Sequence, residues 1–405
     1  NKNTLVGYSA GSLIYGGTNN TVMGHNAYVK GTASDNTVIG MNAGSSVVDG
    51  TATAPMTGAN NVLVGSHAGY GLTDGPGNVL VGKSAGVAMT TGDYNVAIGY
   101  HAGDLLAGDS DNNVAIGTNA LGGEDLASGC IAIGRDALVL QNGTAAVNLA
   151  IGYHAGKTVS TGTQNVLIGH EAGMTLAASA THTGDANTVI GYQALKTATG
   201  ARNTVLGRSA ATALGTGTDN VIIGWNALVT ADGGEDKNVG IGSSALENIN
   251  DDAAVGNVAI GYDAGRYGNT GSGSVDLVKA VNCTIIGHDS RASANDVDNE
   301  VVIGYAAVGE GNNTVRLGNS SATAGLHSAS ALTVDSDKRI KRDIVNNDTG
   351  LALIEKLQPV NYKSVNPADY PEAIAEGRFK NTERQQLVTP AVEAAEAVYE
   401  DAIVQ

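Results

Sequence analysis

Six histidines stand one or two residues after a glycine that recurs along the chain, at positions where several imidazoles could be grouped. Equivalent rings from several copies of the chain, brought together at one axis, could bind a metal ion or an anion. However, Asn, Ser, Glu, Gln and Asp occupy the same positions elsewhere in the chain. We therefore interpret these histidines as occupants of a variable surface position. They are His25, His67, His101, His154, His170 and His288.

Aromatic residues and acidic loops are the other groups that could carry binding chemistry. Exposed aromatic rows can stack against sugars, but packing along the edge of the fold is the simpler explanation. Residues 109–112 offer oxygen ligands for Ca²⁺, although the RTX and EF-hand spacings are both missing. No P-loop and no credible Ser/His/Asp set is present, so we expect no cofactor and no bound metal. The aromatic residues are Tyr100, Tyr153, Tyr192, Trp225, Tyr262 and Tyr305.

Composition excludes several classes of protein. The 405 residues include 57 Gly, 6 Pro, one Phe and one Trp, so small aliphatic side chains must form the interior. A formal charge of −17 argues against nucleic-acid binding, which needs clustered Lys and Arg. The sequence has neither an apolar run long enough for a membrane helix nor a signal peptide. It begins at Asn1 inside a repeat, and we expect it to be a fragment of a longer protein.

A repeat of about 17 residues governs the fold. Each unit starts with Asn (position 0), continues with three mostly β-branched or aliphatic residues and reaches Gly at position 4. Ala follows at position 7, and a loop rich in Thr, Gly, Asp and Asn leads to the next unit. A short, fixed period predicts a stacked solenoid, since each unit is stable only against its neighbours. The repeat glycines are Gly7, Gly24, Gly40, Gly65, Gly82, Gly99, Gly117, Gly134, Gly152, Gly169, Gly191, Gly207, Gly224, Gly242, Gly261, Gly287, Gly304 and Gly318.

Positions 1 to 3 predict a short strand that is apolar on both faces. If positions 1 and 3 point into the coil, position 2 points outward, yet it is apolar nearly throughout, as in Leu63 and Ile222. A single solenoid can bury only one face, so the outward stripe predicts a homo-oligomer. We expect stacked Asn ladders at position 0, close backbone approach at the glycine of position 4 and a second short strand around the alanine of position 7. Cys130 and Cys283 replace Asn at position 0 eight repeats apart, too far for a disulfide, and predict two buried thiols.

The repeat resembles a known family of adhesins. The stretches NVAIGYHAG at 95–103, NLAIGYHAG at 148–156 and NVAIGYDAG at 257–265 are similar to the head repeats of trimeric autotransporter adhesins of the YadA type. The resemblance covers about residues 3–320 and implies a trimeric, left-handed parallel β-roll. The number three and the handedness come from the resemblance, whereas the residues themselves predict an oligomeric stacked β-solenoid.

The segment after the repeats resembles a different family. NTVRLGNSSATAGLHSASALTVDSDKRIKRDI at 313–344 and GLALIEKLQPVNYK at 350–363 are similar to the start of the endosialidase-type, peptidase S74-like intramolecular chaperone of phage tail spikes and fibres. In that family the domain trimerises the preceding fibre and then cuts itself off with a Ser–Lys dyad. The match implies Ser336 as nucleophile, Lys341 as base and Asp337 as neighbour. A neutral lysine would be needed, and nearby arginines could lower its pKa.

The same residues also fit a helix start, with Ser336 as N-cap and the basic run as a solvated face. The segment is also shorter than the family's domain and ends in an Ala/Glu-rich tail, so it is predicted to be only a partial chaperone. Autocleavage within this chain, and the bond that would break, stay open at this point.

These patterns predict an all-β fold: a trimeric left-handed parallel β-roll over residues 1–320, a connector over 321–335 and a small α+β chaperone-like segment with a helical C-terminus over 336–405. We expect a structural and host-recognition component of a phage tail fibre or spike, located on the virion and extracellular after synthesis in the host cytoplasm. Its expected partners are two further copies of itself, a host glycan or outer-membrane receptor and other tail or baseplate proteins. A bacterial autotransporter adhesin head is the alternative. A glycan depolymerase is a third possibility, but it needs paired acidic residues at a fixed site, whereas the acidic residues here are scattered in loops. Three loops, 45–59, 174–186 and 266–281, are longer than the rest and are the first candidates for receptor contact.

Overall fold

The fold is known from a computed structural model, which describes residues 2–45, 47–48, 51–52, 54–106, 108, 110–123, 128–142, 147–176, 184–269 and 274–321. These residues belong to the first of two compact units, Asn1–Leu326. The second unit, His327–Gln405, lies outside the described residues, as does the predicted chaperone segment. Within the described ranges the chain forms strands and turns only, and no helix there could span a membrane.

The main element is a parallel sheet of eighteen three-residue strands, one from each repeat. Each strand pairs in register with the strand of the next repeat, as Ala97 does with Ala115, so the chain is a parallel β-solenoid. At about 4.8 Å per strand the sheet is roughly 80 Å long. Its strands are Thr4–Val6, Thr21–Met23, Thr37–Ile39, Val62–Val64, Val79–Val81, Val96–Ile98, Val114–Ile116, Ile131–Ile133, Leu149–Ile151, Val166–Ile168, Thr188–Ile190, Thr204–Leu206, Val221–Ile223, Val239–Ile241, Val258–Ile260, Thr284–Ile286, Val301–Ile303 and Val315–Leu317.

The alanine at position 7 of the repeat is buried as expected, but the prediction of a second short strand around it is wrong. This alanine lies in a turn, because the residue at position 6 adopts a left-handed backbone, as at His154 with φ 57°. Short strands occur only farther along a few coils. Parallel pairs join Leu13–Ile14 to Lys30–Gly31, Thr175–Leu176 to Thr197–Ala198 and Lys279–Val281 to Asp296–Asp298, and antiparallel pairs join Val47–Val48 to Thr51–Ala52 and Tyr267–Asn269 to Ser274–Asp276.

The direction predicted for the strand side chains is also wrong. Position 2 points into the coil, where Leu63, Ala150 and Ile222 are fully buried. Positions 1 and 3 point outward and are half-buried or exposed, as the pattern over Val96–Ile98 shows. The inward side chains at position 2 and the alanines at position 7 of the repeat form one continuous core along the solenoid. The solenoid therefore has two outward positions per strand where one was predicted; position 3 is apolar throughout, and position 1 is apolar or Thr.

Glycine is required at position 4 for two reasons. Gly152 has φ 139°, a region that L residues rarely adopt. A Cβ added there would also lie closer than 3.0 Å to the backbone carbonyl of Gly169 in the next coil. The prediction of a tight bend with close backbone approach is confirmed.

The predicted asparagine ladder is present in the core. The Oδ1 of Asn187 accepts hydrogen bonds from the backbone N–H of Asn203 at 2.9 Å and from its Nδ2 at 3.2 Å. The Oδ1 of Asn203 accepts the same two hydrogen bonds from the N–H and Nδ2 of Asn220. The Nδ2 of Asn203 also donates to the carbonyl of Gly217 at 2.9 Å. The ladder thus satisfies buried backbone groups of successive coils.

The two cysteines occupy the same ladder. The backbone N–H of Cys130 donates to Asn113 Oδ1 and that of Cys283 to Asn257 Oδ1, each at 2.9 Å. Both thiols are buried and form no disulfide, as predicted. Burial raises the pKa of each thiol, which makes both poor nucleophiles.

Replacing Asn203 with Ala should lower the free energy of unfolding by about 2–4 kcal/mol, because the buried N–H of Asn220 and carbonyl of Gly217 lose partners. The urea midpoint followed by circular dichroism measures this. Cys130→Asn is the reciprocal control, since it restores the repeat residue and should be neutral or stabilising. Equal effects of the two substitutions would contradict the ladder's role.

Candidate functional site

The outward side of the large sheet is the most extended apolar surface in the described part of the chain. We call positions 1 and 3 of the eighteen strands the outer face. Position 3 is Val, Ile, Leu or Met in every strand, and position 1 is Val, Ile, Leu or Thr. No charged residue occurs at either position. Most of these side chains are half-buried, and Ile98, Ile190 and Ile260 are among the more exposed, at 38%, 37% and 37%.

The size of the outer face sets it apart from scattered exposed hydrophobics. A strip roughly 80 Å long and about 10 Å wide covers about 800 Å², above the ~300–600 Å² of the largest patch on a typical monomer. It also matches the ~800 Å² that each partner buries in a standard protein interface. The outer face therefore has the dimensions and composition of a protein–protein contact surface.

Aromatic rings stack along one corner of the solenoid, at the position directly after the glycine. Tyr153 and His170 lie 5.0 Å apart between ring centroids, and His170 and Tyr192 are again 5.0 Å apart, with nearly parallel planes. Arg135 and Arg208 lie over the two ends of this column, at 5.8 and 5.6 Å from the tyrosine rings. These ring faces are occupied by neighbours within the same chain, which agrees with packing along the edge rather than with sugar stacking.

The histidines at position 6 also have partners within their own chain. His154 Nε2 lies 3.1 Å from Asp136 Oδ2, and Asn119 donates to Asp136 Oδ1 at 2.9 Å. Burial would raise the pKa of Asp136, but the hydrogen bonds from Asn119 and His154 outweigh it and lower the pKa. His101 Nδ1 lies 2.6 Å from Asp104. These pairs connect successive coils or stabilise a turn, so the rings are structural.

Two of the three long loops form antiparallel hairpins beside the solenoid. The first contains the strands Val47–Val48 and Thr51–Ala52. The second contains Tyr267–Asn269 and Ser274–Asp276, and the Tyr267 ring lies between Arg266 at 4.9 Å and Arg291 at 5.8 Å. Leu277, fully buried, anchors the end of this hairpin in the core. The sequence indicated the loops by length alone and gave no signal for the Arg–Tyr–Arg stack.

The predicted catalytic residues cannot be placed in this geometry. Ser336, Asp337 and Lys341 all lie outside the described residues. No family model, curated protein or solved structure matches the chain. The candidate functional site is therefore built from the outer face and the two hairpins.

Proposed function

We propose that this chain is the shaft of a phage tail fibre or spike, a structural rod that trimerises and contacts the host surface. The outer face carries the proposal, because an uncharged apolar strip along a rigid solenoid needs a partner of equal length. A second copy of the chain supplies such a strip. The three-fold, left-handed arrangement follows the resemblance of the repeats to YadA-type adhesin heads, and the virion location follows the chaperone-like segment after residue 320.

Host recognition is assigned to the two long loops that form hairpins, 45–59 and 266–281. Tyr267, the first residue of the hairpin over 267–276, contacts Arg266 and Arg291, and Arg and Tyr side chains are common at binding hot spots. The ligand class we propose is a host-surface glycan or an outer-membrane protein. Because the hairpins are insertions beside the solenoid, they can vary without altering the coil that supports them.

Binding of the fluorescently tagged chain to bacterial cells tests this assignment. Flow cytometry over a panel of Gram-negative strains, with and without surface glycan removal, should find strains that bind the rod. A variant with the 266–281 loop shortened to an ordinary coil loop should lose binding and keep its oligomeric mass. Shortening the 174–186 loop is the matched control, and equal binding by all variants would contradict a role for the hairpin.

Self-cleavage is a separate part of the proposal and concerns Ser336 with Lys341 as its base. Intact mass spectrometry of the purified chain should show loss of the segment that begins at Ser336 or Asp337 from the wild type, while Ser336→Ala and Lys341→Met stay at full length. Full-length mass for all three would show that the dyad is inactive in this chain. The autotransporter-head alternative shares the same rod but predicts no cleavage at Ser336.

A further inference from the structure

Glu235 breaks the repeat at a buried loop position. Three residues before the position-0 residue, the other described coils have a small or aliphatic side chain, and almost all are buried. Only the coil that contains Glu235 places a carboxylate there, between Gly217 of the previous coil and Ala254 of the next. The residues at this position are Gly17, Ala33, Gly58, Gly75, Gly92, Ser110, Gly162, Gly184, Gly200, Gly217, Glu235, Ala254, Ala280, Val297 and Gly311.

The Glu235 carboxylate is incompletely satisfied. Its residue exposure is 0%, and its Oε2 accepts one hydrogen bond from the Gly233 N–H at 3.1 Å. Its Oε1 is buried and has no hydrogen-bond partner. A buried carboxylate oxygen without a hydrogen-bond partner is costly, so this position favours a positively charged ligand.

Two further carboxylates meet Glu235 at this point. One oxygen of Asp232, one of Glu235 and one of Asp252 all lie within 4.8 Å of one another. Asp252 belongs to the next coil and reaches back, where its Oδ1 accepts a hydrogen bond from the Gly234 N–H at 3.0 Å. Gly233 permits this approach, since an added Cβ would overlap Asp252 Oδ1.

The surroundings do not neutralise this cluster. Within the described ranges, none of the three carboxylates forms an ion pair with Lys, Arg or His. Three like charges this close repel strongly in a partly buried site. Asp232 and Asp252 are exposed, so an ion can reach the cluster from solvent.

We propose that Asp232, Glu235 and Asp252 bind a divalent cation, and that the ion is Ca²⁺. Carboxylate oxygens are hard ligands, and Ca²⁺ accepts the irregular, partly hydrated oxygen sets that loops provide, whereas Mg²⁺ demands near-octahedral geometry. A glycosidase acid would need to face its substrate, which a completely buried Glu235 does not. The ion would tie two successive coils together across their loops.

Calcium titration of the full chain after EDTA treatment and dialysis tests the site. Isothermal titration calorimetry with CaCl₂ should give one strong site per chain, and the thermal midpoint should rise with Ca²⁺. MgCl₂ should bind at least tenfold more weakly. Absence of both binding heat and thermal shift up to about 5 mM CaCl₂, beyond the range of weak extracellular sites, would overturn the proposal.

Two variants separate a calcium site from a merely strained side chain. Glu235→Gln preserves shape and should weaken calcium binding at least tenfold. Glu235→Gly restores the residue of the previous coil, so it should fold well, resist heat better than the calcium-free wild type and show no calcium-dependent shift. Asp251→Asn, one residue from the cluster, should retain binding. Strong binding by Glu235→Gly, or equal loss in Asp251→Asn, would contradict the assignment.

Discussion

Gly242→Ala should destabilise the solenoid by more than about 4 kcal/mol, whereas Gly240→Ala, two residues earlier in the same coil, should be tolerated. Gly242 has φ 139°, and a Cβ there would overlap the carbonyl of Gly261 in the next coil. The strain is both torsional and steric, and it involves backbone that cannot move without breaking the ladder between coils. Chemical unfolding followed by circular dichroism measures the difference.

Gly240 is a well-matched control because it undergoes the same chemical change. It lies at position 2, where the neighbouring coil has Ala259. An added Cβ would come no closer than 3.4 Å to Ile222 Cδ1, an ordinary packing distance. Lower chain entropy in the unfolded state should make Gly240→Ala neutral or up to about 1 kcal/mol more stable. Similar losses for both variants would show that close approach is not what selects glycine at position 4.

The inward or outward direction of the strand side chains was predictable from the asparagine ladder, although the composition of the strands alone does not indicate it. Side chains two residues apart in a strand share a face, so position 2 must lie on the same side as position 0. Asn203 and Cys130 at position 0 are buried. The Oδ1 of Asn203 accepts a hydrogen bond from the N–H of Asn220 in the next coil, and the N–H of Cys130 donates to Asn113 Oδ1 of the previous coil. If the buried Asn ladder at position 0 had been used to decide which strand positions face inward, Val205 at position 2 would have been placed in the core. Apolarity could not decide, because all three strand positions are apolar.

Other parts of the fold had no comparable signal. The period predicted the stacking. The residue types predicted the close backbone approach at the glycine of position 4, the burial of the alanine at position 7 and the Asn ladder. Tyr267 contacts Arg266, its neighbour in sequence, and Arg291 of the next coil, and the linear sequence does not display this second contact. Glu235 was visible only as an exception to a repeat position, once the coils had been aligned in register.

The outer face should decide the oligomeric state, and a triple substitution should abolish association. Ile98, Ile190 and Ile260 are each more than a third exposed in the single chain, so Glu at these positions leaves the coil interior intact. Within an oligomer, every chain would bring three carboxylates into an apolar contact, at several kcal/mol each. Size-exclusion chromatography with light scattering, carried out on Ser336→Ala chains so that self-cleavage does not change the mass, should give three times 40.6 kDa without the outer-face substitutions and lower masses with them.

Glu at Leu105, Leu140 and Val147 controls for added charge, because these residues are 38%, 52% and 59% exposed but lie outside the large sheet. This control should keep the wild-type mass, since its carboxylates remain in water. Circular dichroism of both triple variants should retain the β signal, which separates lost association from lost folding. A Ser336→Ala chain that is monodisperse at 40.6 kDa without the outer-face substitutions, or an outer-face variant that still trimerises, would overturn the assignment of this face.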